Sequence, residues 1–215
     1  MGYKSMFFIA IENPEELIQG IRNLIVSEEE VNCDSLYFER NCSKSNFISF
    51  IQNFKSTEKK QYNVVKLAFE FQRECFCLTY TDDIRDSFNF PNFFIIGLQF
   101  TIDKNISKLT NFQSEILVNL FNLLNVDFAW LTIDDYLNGN FLKKKSHPLD
   151  KSESLTYYVN KKFIKNIPQD KIKKLNSVGF NNGAIYYDSY TDFEYDENFI
   201  KFRDLLRIEF ENYQK

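Results

Sequence analysis

From Asn63 to Thr81 the chain reads NVVKLAFEFQRECFCLTYT. Val65, Leu67, Phe69 and Phe71 point one way and Lys66, Glu70 and Gln72 the other, the period-two pattern of a strand with one face in a core. A second alternating segment follows from Glu74 to Thr81, so the two predict neighbouring antiparallel strands. Cys75 and Cys77 lie two apart here and should share a face, and we expect buried, reduced thiols.

Outward from this hairpin the period switches between two and 3.6. Met6 to Ile11 suits a short strand, and Asn13-Pro14-Glu15-Glu16 supplies an N-cap, a proline at N1 and acids in the first turn of a helix with Leu17, Ile18, Ile21, Leu24 and Ile25 on one side. Leu36 to Phe38 reads as a strand; Phe47, Phe50, Ile51 and Phe54 mark a second helix capped by Ser43 or Ser45. Phe93 to Ile102 is apolar on both faces and predicts a central strand, with Gly97 marking a bulge or the close approach of a helix. Thr110 and Gln113 form a capping box for a third helix, and Phe128 to Ile133 returns to strand with Trp130 as core. Strands over Leu155 to Val159 and Ala184 to Tyr187, a helix from Pro168 and a last helix carrying Phe199, Phe202, Leu205, Leu206 and Phe210 complete the pattern.

Mixed hairpins and crossovers imply an α+β fold: a mixed, largely antiparallel sheet of about seven to eight strands with about five helices packed mainly on one face. The 215 residues form a single domain, 1–215, divisible at a loop over 136–154 into halves 1–135 and 155–215. Hydrophobic residues at 44% and charged residues at 26% exclude a mainly disordered chain.

Lys plus Arg is 26 and Asp plus Glu 30, a net of −4, which disfavours a protein that grips nucleic acid over its whole surface, and we expect no direct nucleic-acid partner. The charge is blocked: residues 1–142 hold 12 basic and 19 acidic residues, 143–174 hold 10 and 3, and 175–215 hold 4 and 8. Lys143, Lys144, Lys145, Lys161, Lys162, Lys165, Lys171, Lys173 and Lys174 could seek phosphate, although a lysine run without arginine reads first as a solvated face. No apolar run reaches the ~20 residues of a bilayer span and no signal peptide opens the chain, so we expect a cytoplasmic protein with no membrane partner.

Cys33, Cys42, Cys75 and Cys77 lack the spacing of a zinc site, and a single histidine, His147, leaves little to complete one; no metal and no cofactor are expected. The six glycines form neither dinucleotide-binding nor P-loop fingerprint. Carboxylate chemistry survives this filter. Asp82, Asp83 and Asp86, with Asp134 and Asp135, could hold magnesium or act as acid and base, which makes a metal-dependent hydrolase the alternative reading; such acids at strand ends also cap helices and make turns.

The segment Tyr186-Tyr187-Asp188-Ser189-Tyr190-Thr191-Asp192-Phe193-Glu194-Tyr195-Asp196-Glu197 carries no Lys or Arg. Tyrosine gives stiff amphipathic contact area and the acids complement a cationic partner, the make-up of a binding surface, while Tyr186 and Phe193 could equally be core and the acids caps of the last helix. The run Asn182-Gly183-Ala184-Ile185-Tyr186-Tyr187-Asp188, then acidic and aromatic residues, then an amphipathic helix, resembles the C-terminal end of bacterial immunity proteins paired with polymorphic toxins. The resemblance covers roughly the last 35 residues. It implies a non-enzymatic inhibitor whose partner is a cognate protein toxin, a basic nuclease suiting the acidic surface. The implied contacts are Asp134, Asp135, Tyr186, Tyr187, Asp188, Tyr190, Asp192, Glu194 and Tyr195.

Overall fold

The computed structural model describes residues 3–26, 42–53, 65–80, 92–102, 111–133, 147, 149, 156–179, 182–188 and 196–213. The strand read at 36–38, Thr110 of the capping box and the loop over 136–154, apart from residues 147 and 149, lie outside them.

β1 (Tyr3–Ile11) leads into α1 (Pro14–Asn23), where Pro14 takes the first position and the Glu15 N–H donates to the Asn13 side chain at 3.2 Å. Before α2 (Lys44–Asn53), Ser43 is the cap of the two candidates: its Oγ accepts the Asn46 N–H and its carbonyl the Phe47 N–H. β2 (Val65–Phe71) and β3 (Glu74–Tyr80) form the expected hairpin. Its turn residues Gln72 and Arg73 sit at φ 53° and 69°, the left-handed pair that a two-residue hairpin demands, here taken without glycine. In β4 (Phe94–Ile102), Gly97 pairs with Phe8 on one side and Thr79 on the other in unbroken register, so it is not a bulge.

α3 (Asn111–Leu123), β5 (Phe128–Ile133), β6 (Thr156–Asn160), α4 (Gln169–Ile172), β7 (Asn176–Val178), β8 (Gly183–Tyr187) and α5 (Glu197–Tyr213) follow. The helix foreseen from Pro168 is a single turn, α4, and a 3-10 turn at Lys161–Phe163 precedes it. β7 was not foreseen; three residues, Asn-Ser-Val, carry no periodicity and become a strand by pairing with β8.

One sheet of eight strands results, in the order β2-β3-β4-β1-β5-β6-β8-β7, antiparallel at every pairing. The fold is α+β, and β5–β6 pairing carries the sheet past the 136–154 segment. Alternation along β1 divides two cores. Phe7, Ile9 and Ile11 face Leu17, Ile21, Phe47, Leu120 and Phe121 of α1, α2 and α3. Met6, Phe8 and Ala10 face the side covered by α5 and the segment around α4. Three helices thus share one face and two lie across the other.

Aromatic rings build the second core: Phe128 stacks on Trp130 and Tyr157, each at 5.7 Å, and meets Phe210 edge-on at 4.9 Å. α5 contributes Phe199, Phe202, Leu206 and Phe210, all buried. At about 2 kcal/mol for each buried side chain, this one stripe rivals the usual net stability of a domain, so the fold does not survive without α5 docked.

Candidate functional site

Register places the candidate residues before any side chain is considered. Trp130 of β5 pairs with Tyr157 of β6, and Tyr157 pairs with Tyr186 of β8. β5 and β8 therefore run parallel, one strand apart, and finish at the same end of the sheet, about 12 Å from each other. Asp134 follows β5 and Asp188 follows β8 in sequence, so the strands that precede the two acidic stretches finish at one sheet end. β3 behaves differently. Thr79 pairs with Gly97 and Ile11 with Phe94, which puts the end of β3 at the opposite end of the sheet from the end of β5. β3 and β5, which Asp82-Asp83 and Asp134-Asp135 follow in sequence, thus finish at opposite ends of the sheet, while those acids themselves lie outside the described residues.

Asp188 has a definite task. It is only 3% exposed, and its Oδ1 accepts the backbone N–H of Asp196 at 3.1 Å, while Asp196 caps α5 by accepting the Asn198 N–H at 2.8 Å. Asp188 and Asp196, eight positions apart, are consequently neighbours, with Asp196 and Glu197 at the helix N-terminus, where the dipole favours negative charge. The second oxygen of Asp188 is buried and makes no hydrogen bond.

Tyr186, also 3% exposed, packs on Phe202 at 4.8 Å, and burial raises its phenol pKa above the ordinary value. Tyr186 and Asp188, read as contacts, are therefore interior: one packs the second core, the other clamps the loop. Tyr187 points to the other face and is half-buried against the first core. Asp134, Asp135, Tyr190, Asp192, Glu194 and Tyr195 lie outside the described residues. Trp130 is fully buried, as expected. Of the cysteines, Cys77 is buried, and burial first of all pushes its thiol pKa up to about 11, whereas Cys75 on the same face is exposed beside the hairpin turn. The expectation of buried thiols fails at Cys75 because the turn leaves that end of β3 uncovered. Cys33 lies outside the described residues.

A polar node absent from the sequence reading occupies the other sheet end. Lys162 Nζ lies 2.6 Å from Asp127 Oδ1 and 3.1 Å from Glu12 Oε2. Asp127 Oδ2 accepts the Glu12 backbone N–H at 2.7 Å, and the Tyr213 hydroxyl donates to Glu12 Oε2 at 2.7 Å. Four distant stretches meet there, tied by charge-assisted bonds. Burial holds the Asp127 carboxyl above its ordinary range despite the lysine; the Tyr213 hydrogen bond above all holds Glu12 below its own. This node is a latch for the C-terminus of α5, and no motif signals it, because its members are up to 201 residues apart.

Among the described residues no group of three or more His, Cys, Asp or Glu gathers to hold a metal ion, and no helix is long and apolar enough to cross a membrane. No protein-family model matches the chain, and comparison with curated proteins finds no match.

Proposed function

We propose that this protein is an immunity-type inhibitor that binds and neutralises a cognate bacterial toxin, a nuclease effector in particular, without catalysing a reaction. The observation that carries the reading is the common exit of β5 and β8. The ends of β5 and β8, which precede two acidic stretches distant in sequence, lie about 12 Å apart, and the Asp188–Asp196 bond ties together the residues on either side of the tyrosine-bearing stretch. A clamped loop has less freedom to lose on binding, and clustered carboxylates raise the association rate of a basic partner. The resemblance of the last 35 residues or so to toxin immunity proteins supports the same reading, with Tyr187, Tyr190, Asp192, Glu194, Tyr195, Asp134 and Asp135 as contacts.

The test is binding to the product of the adjacent gene, followed by assay of that product's toxicity with and without this chain. We expect sub-nanomolar affinity, weakened by salt mainly through the association rate, and loss of toxicity in the complex. A neighbour that neither binds nor is inhibited defeats the proposal.

A further inference from the structure

The lysine-rich stretch at 161–174 has an architecture of its own. It holds six lysines against one acid, Asp170. Phe163, Ile167 and Leu175 are buried in the second core and Ile164 and Ile172 pack against it, so the segment lies over the sheet as a lid with its apolar side chains inward. Two lysines are engaged: Lys162 by Asp127 and Glu12, and Lys171 by Asp170 at 3.5 Å. Lys161, Lys165, Lys173 and Lys174 are exposed and form no ion pair among the described residues. Besides Asp170, Glu209 reaches the lid, bonding Asn166 at 2.8 Å.

Pairing fixes how the lysines are spread. Lys161 follows Asn160, which pairs with Gly183; Lys174 comes two residues before Asn176, which pairs with Tyr187. Lys161 and Lys174 therefore lie beyond opposite ends of β8 and on opposite sides of it, at least about 16 Å apart, with about 13 Å along the strand and about 10 Å across it. That distance spans about five nucleotides along one strand of a duplex.

We infer that this lid is an electrostatic docking surface for the phosphate backbone of a nucleic acid, running from the Gly183 end of β8 to its Tyr187 end. Net charge argues against a nucleic-acid grip over the whole molecule, but four exposed lysines with no ion pair among the described residues, spread along one segment, can each meet a phosphate locally. A protein partner would need buried aromatic or arginine anchors, and the lid turns its aromatic ring inward and has no arginine. Stable anchoring to a bilayer takes an apolar contribution besides the basic residues, and the apolar side chains of the lid face the core. A phosphate lattice needs neither. Binding is indifferent to base sequence, since lysine here meets phosphates as a point charge.

Fluorescence anisotropy of the full chain with a fluorescein-labelled 20-nucleotide DNA, single-stranded and duplex, tests this. Micromolar binding at 50 mM salt is expected, and four phosphate contacts predict about 150-fold weaker duplex binding at 200 mM. The combined variant Lys161→Ala, Lys165→Ala, Lys173→Ala, Lys174→Ala should lose binding with an unchanged melting temperature, while Lys201→Ala with Arg207→Ala should bind normally. No anisotropy change at 50 mM, equal binding by the fourfold variant, or capture by phosphatidylserine vesicles without binding to either DNA would each overturn the inference.

Discussion

Lys162, on the 3-10 turn after β6, places its ammonium 2.6 Å from the carboxylate of Asp127, a residue only 3% exposed at the start of β5. Neither would be stable alone: an unpaired buried carboxylate is costly, and removing one member of such a pair typically destabilises by more than the pair contributes. Lys162→Met should therefore cost about 2 kcal/mol, lowered from the fully buried case because Lys162 is partly exposed. Asp127→Asn, which keeps an acceptor for the Glu12 N–H, should cost less, and the double variant less than the sum. Urea denaturation decides; a Lys162→Met protein within 0.5 kcal/mol of wild type would show the pair to be idle.

The same node makes stability depend on pH in two windows. Glu12 is held below its ordinary 4.5, chiefly by Tyr213, so its contribution is present above that value and lost as pH falls through the folded value. Tyr213 is raised by its bond to Glu12; Lys162, lowered by burial but raised further by Asp127, also ends above its ordinary value. Their contributions are present below 10 and 10.5 and lost as pH rises through the folded values. Asp127, raised by burial, works against Glu12 in acid and softens the lower limb. Tyr213→Phe should cost roughly 0.5 kcal/mol at pH 7 and flatten the alkaline limb. Melting curves from pH 3 to 11 check both; an alkaline limb unchanged in the variant would refute the assignment.

Gly20 on α1 abuts the end of α3 so closely that a Cβ there would lie 2.5 Å from the Leu123 carbonyl oxygen and 2.6 Å from Leu124 Cα. Helix propensity alone would make Gly20→Ala stabilising by about 1 kcal/mol. Overpacking against backbone outweighs this, and we expect a net loss of about 2 kcal/mol. A stabilised variant would mean that the two helices can part without penalty.

Asp188 and the loop it clamps should separate fold from binding. Tyr190→Ala and Asp192→Ala are expected to weaken toxin binding with little change in melting temperature. Asp188→Ala removes a buried acceptor, so it should lower both affinity and stability, the latter by about 1 kcal/mol. Equal loss of stability in all three would make the loop a structural element rather than a contact surface.

Thiol labelling should divide the cysteines of β3. Cys75 is exposed and should react with a maleimide at once, whereas Cys77, with its thiolate disfavoured by burial, should react only when the sheet opens. Peptide mapping after brief labelling checks this. Equal rates would mean that β3 frays from the sheet.

How much of this was legible in the chain follows from the range of each interaction. The alternation of Val65, Leu67, Phe69 and Phe71 and the cap, proline and acids at Asn13 to Glu16 act over a few residues, so period and capping predicted the hairpin and α1. Chemistry at the candidate site was partly legible, since a tyrosine and acid run without lysine is a property of composition. What each of its members does was not. Asp188 reads as a partner contact, yet it is interior and accepts the backbone N–H of Asp196, eight positions on.

Local sequence thus determined the α+β class, most strand and helix positions and the inward faces, because side-chain direction repeats with the backbone period. The packed molecule alone decided that β7 exists, that helices cover both sides of the sheet, that β3 and β5 finish at opposite ends, and that Glu12, Asp127, Lys162 and Tyr213 converge. These depend on strand order and on groups brought together across as many as 201 positions, and hydrogen bonds and ion pairs reach only a few ångströms. No window of sequence contains both partners, so only the closed chain can bring them within reach.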